Sequence, residues 1–321
     1  MTITTTWRRL RARASWIGDL AMLPVLIVMV LGFAIFNPGI LSPLNLTNVL
    51  SQTTVIAIAA IGATFVILTA GIDLSTGSMI SAAGVASATV MHATGSIPLG
   101  IVAGVAVGLA TGYLLGVLVA YLKLVPFVVT LAGLFAISGV ALLLTSGATV
   151  SALPDGLTTF SIATLAGIPA AAIVAIVLFA AAQFALTRTV WGRHVILVGA
   201  SPEVARVSGI HVKRITVSVY MVAGLFSAVA GIILTANLFG ANASMGSPLL
   251  LNVIGAVVLG GTSLFGGRGS VLRTAIGALL LGFLADGMTL LGLQSYDQET
   301  VTGLVILVAA SIDALLHRGS R

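Results

Sequence analysis

The chain has 321 residues, of which 59% are hydrophobic and 7% charged, whereas an ordinary soluble domain is about a quarter charged, so a water-soluble globule is excluded. Eight acids against fourteen Lys and Arg give a net charge of +6, and the bases punctuate apolar runs instead of forming the basic stripe of a nucleic-acid-binding fold. There is no cysteine, which removes disulfides, thiol catalysis and Cys-ligated zinc or iron–sulfur centres.

Apolar runs of roughly 20 residues are long enough to cross a bilayer as helices, and the strand-period alternation of a membrane β-barrel is absent. The chain reads as an all-α integral membrane protein. In chain order the candidate spans are residues 17 to 36, 49 to 70, 77 to 95, 98 to 121, 125 to 145, 167 to 187, 215 to 236, 250 to 266, 271 to 291 and 299 to 316. The connections that divide 49 to 95 and that close the short eighth span are the least polar. The first span follows a basic stretch, yet it is too long for a signal-peptide core and no small-residue cleavage site closes it, so it reads as a retained helix. This gives a basic N-terminus at 1–16, one transmembrane domain at 17–316 with a long loop at 188–214, and a tail at 317–321.

With both termini cytoplasmic, the inside segments hold Arg8, Arg9, Arg11, Arg13, Lys123, Arg188, Arg193, Arg206, Lys213, Arg214, Arg268, Arg273, Arg318 and Arg321, all fourteen bases. The outside segments hold none, as the positive-inside rule requires. Fusing 49 to 95 into one span would invert everything after it. Trp7, Trp16 and Trp191 fall near span ends on the basic side, where amphipathic rings anchor at the interface.

The fourth span places Gly100, Gly104, Gly108, Gly112 and Gly116 four apart on one helix face. Small residues let helices approach closely in lipid, where apolar burial drives little association. The stripe is either a seam within the subunit or a dimer or moving interface. Two acids lie within the apolar region. Asp73, in A-G-I-D-L-S-T-G-S, is flanked by Gly71 and Gly77, with Ser75, Thr76 and Ser78 able to satisfy an interrupted backbone. It either caps the helix starting near Ser75 or belongs to a pathway. Asp286 reads as a buried hydrogen-bonded acid ahead of a proton relay.

His92, His194, His211 and His317 are scattered and suggest no metal site. No catalytic motif appears, and neither Lys123 nor Lys213 follows the glycine that a P-loop needs. No catalytic residue and no cofactor are expected in this chain; if ATP drives it, another chain must bind the ATP and Mg and hydrolyse the ATP.

Within the long loop, Ser201 is an N-cap, Pro202 suits the first helical position, Glu203 favours the positive end of the dipole and Gly209 can terminate the helix. The spacing predicts about two turns from Pro202 to Ser208. Val204, Val207 and Ser208 share one face, Glu203 and Arg206 another. So short a helix needs a partner surface, either its own bundle or a second protein.

Three segments together resemble the permease subunits of monosaccharide-type ABC importers, the ribose, xylose and galactose group: A-I-G-A-T-F-V-I-L-T-A-G-I-D-L-S-T-G-S from Ala60, G-R-H-V-I-L-V-G-A-S-P-E-V-A-R-V-S-G-I from Gly192, and N-V-I-G-A-V-V-L-G-G-T-S-L-F-G-G-R-G-S from Asn252. Their order and spacing match across nearly the whole chain. The first motif is filled by Gly71, Asp73, Ser75, Gly77 and Ser78, with Thr76 where valine is usual. Ser201, Pro202, Glu203, Ala205, Arg206, Ser208, Gly209 and Ile210 fill the second, Ser201 standing where many members have Asn. Gly260, Gly261, Gly266, Gly267 and Gly269 fill the third, and with Arg268 suggest a second cytoplasmic contact.

The resemblance implies ten-helix subunits that pair as homo- or heterodimers in the bacterial inner membrane. It also implies a cytoplasmic ABC ATPase docked on the loop after the sixth helix, and a periplasmic or lipid-anchored sugar-binding protein. Import of a monosaccharide or related polyol by alternating access is the reading; Thr69, Asp73, Ser75 and Asn252 are its polar pathway candidates. The rival is a self-sufficient secondary transporter or channel, for which the chain offers few intramembrane charges. An export pump is less favoured by the resemblance.

Overall fold

The structure, a computed structural model, describes residues 22–316. The basic N-terminus with Trp7 and Trp16, and the C-terminal tail, lie outside the described residues. The helices, in chain order, are α1 (Leu23–Phe36), α2 (Pro43–Leu68), α3 (Thr76–Thr94), α4 (Ile97–Ala120), α5 (Pro126–Thr145) and α6 (Asp155–Ile162); then α7 (Ala170–Arg188), α8 (Val190–Ala200), α9 (Pro202–Val207), α10 (Val212–Asn237), α11 (Leu249–Leu259), α12 (Val271–Leu290) and α13 (Ser295–Leu316). A 3-10 turn at Pro38–Leu41 precedes α2, and a two-residue antiparallel pair, β1 (Thr164–Leu165) with β2 (Ile168–Pro169), precedes α7.

Local signals place many of these boundaries. Ser42 Oγ accepts from Asn45 N at 3.3 Å ahead of Pro43, and Ser96 Oγ caps α4 by accepting from Leu99 N. Gly95, at φ 68°, ends α3 in the left-handed region.

Among the described residues six helices, α2, α4, α5, α7, α10 and α12, are long and apolar enough to cross a membrane. The other four expected spans coincide with α1 and α11, which are short, with α3, which is rich in Ser and Thr, and with α13, which runs to the limit of the described residues. The eighth span, expected at 250 to 266, is a correction. Its helix stops at Leu259, because the chain turns at Gly260 and Gly261, the latter at φ 70°. Before α11 the chain is irregular: Gly246 N donates to Ser81 Oγ at 2.9 Å, and a Cβ at Gly77 would lie 2.8 Å from the Gly246 carbonyl. This non-helical stretch reaches a full turn into α3, buried against protein where its polar backbone finds partners.

The core sits where α10 meets α2, α3 and α4, with α12 and α11 closing on α2. α2 and α10 are buried over most of their length, whereas α4, α5 and α7 bury one face and turn Val102, Leu114, Phe135, Leu143 and Phe184 outward. Outward-facing apolar side chains are what lipid contact requires. The glycine stripe of α4 faces α3 and α10 of the same chain. A Cβ at Gly104 would lie 2.9 Å from the Ala83 carbonyl, one at Gly116 would lie 2.9 Å from Val217 Cα, and at Gly108 and Gly112 it would overlap the carbonyls of Gly224 and Tyr220.

Connections sort into two groups. Thr47 Oγ1 donates to Gly167 O, His92 Nδ1 meets Ser151 O at 3.0 Å, Val150 pairs with Ala241, and Asn37 Nδ2 donates to Leu290 O. These join segments that charge assigned to the base-free side. The opposite group, Leu68 to Ala70, Gly199 to Ala200 and Gly266 to Gly267, meets at the other end.

Candidate functional site

The chain between α2 and α3 breaks at Thr69 to Ser75. Ala70 takes φ 59°, and Gly71 lies so close to Val66 and Tyr220 that a Cβ there would sit 2.9 Å from Val66 Cγ1 and 3.1 Å from the Tyr220 hydroxyl. Asp73, 4% exposed, turns Oδ1 onto the backbone N–H of Ser75 at 2.8 Å and onto its hydroxyl. Ser78 Oγ donates to Ser75 O, and Thr130 of α5 donates to Ile72 O at 3.1 Å. The interrupted backbone is satisfied by hydroxyls from within the motif and from a neighbouring helix. Asp73 therefore performs local backbone capping through one oxygen, while its other, Oδ2, is buried without a hydrogen-bond partner, as is the Tyr220 hydroxyl.

Of the polar pathway candidates, the structure brings Asp73 and Ser75 together. Thr69 returns its hydroxyl to Val66 O at 2.9 Å, and Asn252 sits half-buried on α11. Asp286 accepts from Asn45 Nδ2 at 2.7 Å, the hydrogen-bonded arrangement of the two considered for it.

The long loop is mostly helix. Thr189 Oγ1 caps α8 by accepting from Gly192 N at 3.1 Å, and α8 buries Gly192, Val195, Val198 and Gly199 on one face. Trp191 ties it to the bundle: its ring lies 5.2 Å from that of Phe65 and its Nε1 donates to Ser218 Oγ at 2.8 Å. α9 then forms as its residues dictate. Ser201 Oγ accepts from Val204 N, Pro202 opens the helix, and Gly209 at φ 80° closes it, with Ile210 N donating to Ala205 O. The helix ends at Val207, with Ser208 as C-cap. Ala205 is fully buried, but Val207 is 86% exposed, and Val204, Glu203 and Arg206 also face outward.

The three sequence motifs converge beside this helix. Gly267 N donates to Leu68 O at 2.9 Å. A Cβ at Gly266 would lie 2.8 Å from Ala70 N, one at Gly267 would lie 2.8 Å from Ala200 Cα, and one at Gly199 would overlap the Leu68 carbonyl. Ser263 N donates to Arg268 O, shaping the loop that carries Gly266, Gly267, Arg268 and Gly269. The end of α2, the end of α8 and the 263–269 loop thus touch backbone to backbone, with α9 one residue further on. Tyr220 was not singled out from sequence, although a hydroxyl within an apolar run was a signal; Gly199 lay unmarked inside the second motif. Among the described residues no cluster of His, Asp and Glu could hold a metal.

Among the described residues, six membrane-length apolar helices, a buried polar break between α2 and α3 and a short capped helix presented at one end are the features of a helical membrane protein of the permease class. The chain belongs to the family described as branched-chain amino acid transport system / permease component, whose model matches residues 45–310. The ribose import permease protein RbsC of Bacillus subtilis (strain 168) is 41% identical over 290 residues, 90% of each chain. That of Escherichia coli (strain K12) is 38% identical over 319 residues, 97% of this chain and 98% of the relative. The autoinducer 2 import system permease protein LsrD of Escherichia coli O9:H4 (strain HS) is 34% identical over 316 residues, 96% of this chain and 95% of the relative. No solved structure matches the chain at a significant level.

Proposed function

We propose that this chain is the permease subunit of a binding-protein-dependent ABC importer for a monosaccharide or related polyol, crossing the bacterial inner membrane ten times with both termini cytoplasmic. It pairs with a second permease subunit. A cytoplasmic ATPase, which binds ATP and Mg, docks on α9 and on the 266–269 loop, and an external sugar-binding protein delivers the substrate. The observation that carries this reading is the convergence of the three motifs: a push on α9 reaches Ala200 and Gly199, which bear on Leu68 and Ala70, the entry to the Asp73 break. Backbone contacts without intervening side chains leave little slack in that chain of contacts.

Membership in a family of transport-system components favours this over a self-sufficient transporter or channel. The relatives named for ribose and autoinducer 2 import support a sugar-like substrate over the amino acids in the family description. Thr69, Asp73, Ser75 and Asn252 remain the pathway candidates. The test is uptake into proteoliposomes that hold the permease with its ATPase and binding protein. Accumulation is expected to require ATP and the ATPase; uptake persisting without either would overturn the reading.

A further inference from the structure

Away from the motif junction, a groove of about 520 Å³ opens on the outer surface between α4 and α10. One wall is Tyr113 and Val117 of α4 with Tyr121, the residue that caps it; the other is Arg214, Val217, Ser218 and Met221 of α10. We propose that this groove binds one anionic phospholipid of the cytoplasmic leaflet, its headgroup on Lys213 and Arg214 and the start of an acyl chain along Val117, Val217 and Met221.

The charge is concentrated at one end. Lys213 and Arg214 lie in the first turn of α10, which holds no acid, and the positive end of the helix dipole adds to them where cations are least at ease. Among the described residues neither base is paired with a carboxylate. Lys213 instead places its Nζ 5.0 Å above the Tyr121 ring, at the mouth of the groove. An anion arriving there completes the electrostatics. Beyond it the lining is apolar apart from Ser218, whose hydroxyl accepts from Trp191 Nε1, and Leu114 on α4 and Leu122 just past its end are more than half exposed, as lipid-facing residues are. Tyr121 supplies the amphipathic ring that favours the headgroup level, and Tyr113 lies two turns deeper along the same wall. A basic end, an aromatic collar and an apolar floor between two spans match an anionic phospholipid, and basic pockets between helices on the cytoplasmic side suit such headgroups. A soluble anion would leave the apolar floor unused. The placement rests on the topology proposed above, but the test below does not depend on transport, so the two can fail separately.

The purified full chain in detergent is offered dioleoyl phosphatidylglycerol or dioleoyl phosphatidylcholine, and bound lipid is counted by native mass spectrometry. Phosphatidylglycerol is expected to be retained about tenfold more tightly, a preference lost in Lys213→Gln/Arg214→Gln and kept in Arg188→Gln/Arg193→Gln. Val117→Phe, which narrows the groove without changing charge, should weaken retention of both lipids. Equal retention by the Lys213→Gln/Arg214→Gln variant would overturn the site. Glycerol 3-phosphate displacing the lipid at equal concentration would show an anion site without a chain groove and also overturn it. Because the chain has no cysteine, Tyr113→Cys offers a third arm. Disulfide-linked dimers in native membranes would mean that a second copy covers the groove.

Discussion

At Asp73 a carboxylate does two different things with its two oxygens. Oδ1 holds the Ser75 N–H, while Oδ2 faces no donor. An amide can keep the first role, because its carbonyl still accepts. Asp73→Asn should therefore fold as the parent does, and Asp73→Ala should lose about 1 kcal/mol, the ordinary worth of a side chain that caps free backbone groups; thermal unfolding in detergent measures both. If the carboxylate charge also serves a path, Asp73→Asn will insert normally yet lower ATP-driven uptake. Unchanged uptake would assign Asp73 to capping alone. The sequence supplied the acid, the flanking glycines and the hydroxyls. It did not reveal Tyr220, some 150 positions away, because an approach of that kind is decided by how α10 crosses the end of α2.

At the scale of elements, α9 is the clearest case of local sequence determining local structure. Ser201, Pro202 and Gly209 are three stop and start signals within nine residues, and the helix lies between them. What it presents is another matter. Ala205 is buried while Val204 and Val207 stand exposed, an apolar pair on a helix too short to be stable without a partner. The variant Val204→Asp/Val207→Asp changes neither the caps nor the buried Ala205. It should leave expression and membrane insertion intact and abolish co-purification of the ATPase; normal co-purification would move the docking surface elsewhere. By contrast α11 is shorter than its apolar sequence implies. Apolar composition from residue 250 onward reads as a continuous span, and only the close approach of Gly260 to Arg273 and of Gly246 to α3 shows where the helix must begin and end.

For the whole molecule, the two groups of interconnecting segments make a claim about sidedness. If all the bases are cytoplasmic, single cysteines placed by Val207→Cys and Thr158→Cys in this cysteine-free chain should be labelled by a membrane-impermeant maleimide from opposite faces. Labelling of both from the same face would break the ten-span arrangement. Charge and geometry bear on sidedness separately: one counts bases, the other shows Thr47 meeting Gly167 and Gly267 meeting Leu68 at opposite ends of α2.

The sequence by itself determined that the chain lives in a membrane, that it is helical, where most helices run and that α9 is a capped two-turn helix. Each of these depends on residues close together in the chain: hydropathy over a span, a cap over a turn. Only the tertiary structure decided that the three motifs share one junction and that the glycine stripe of α4 serves α3 and α10. It alone showed that a non-helical stretch before α11 penetrates the bundle. In lipid, close backbone contact is what joins helices, and a glycine that permits such contact carries no mark of the partner it will meet.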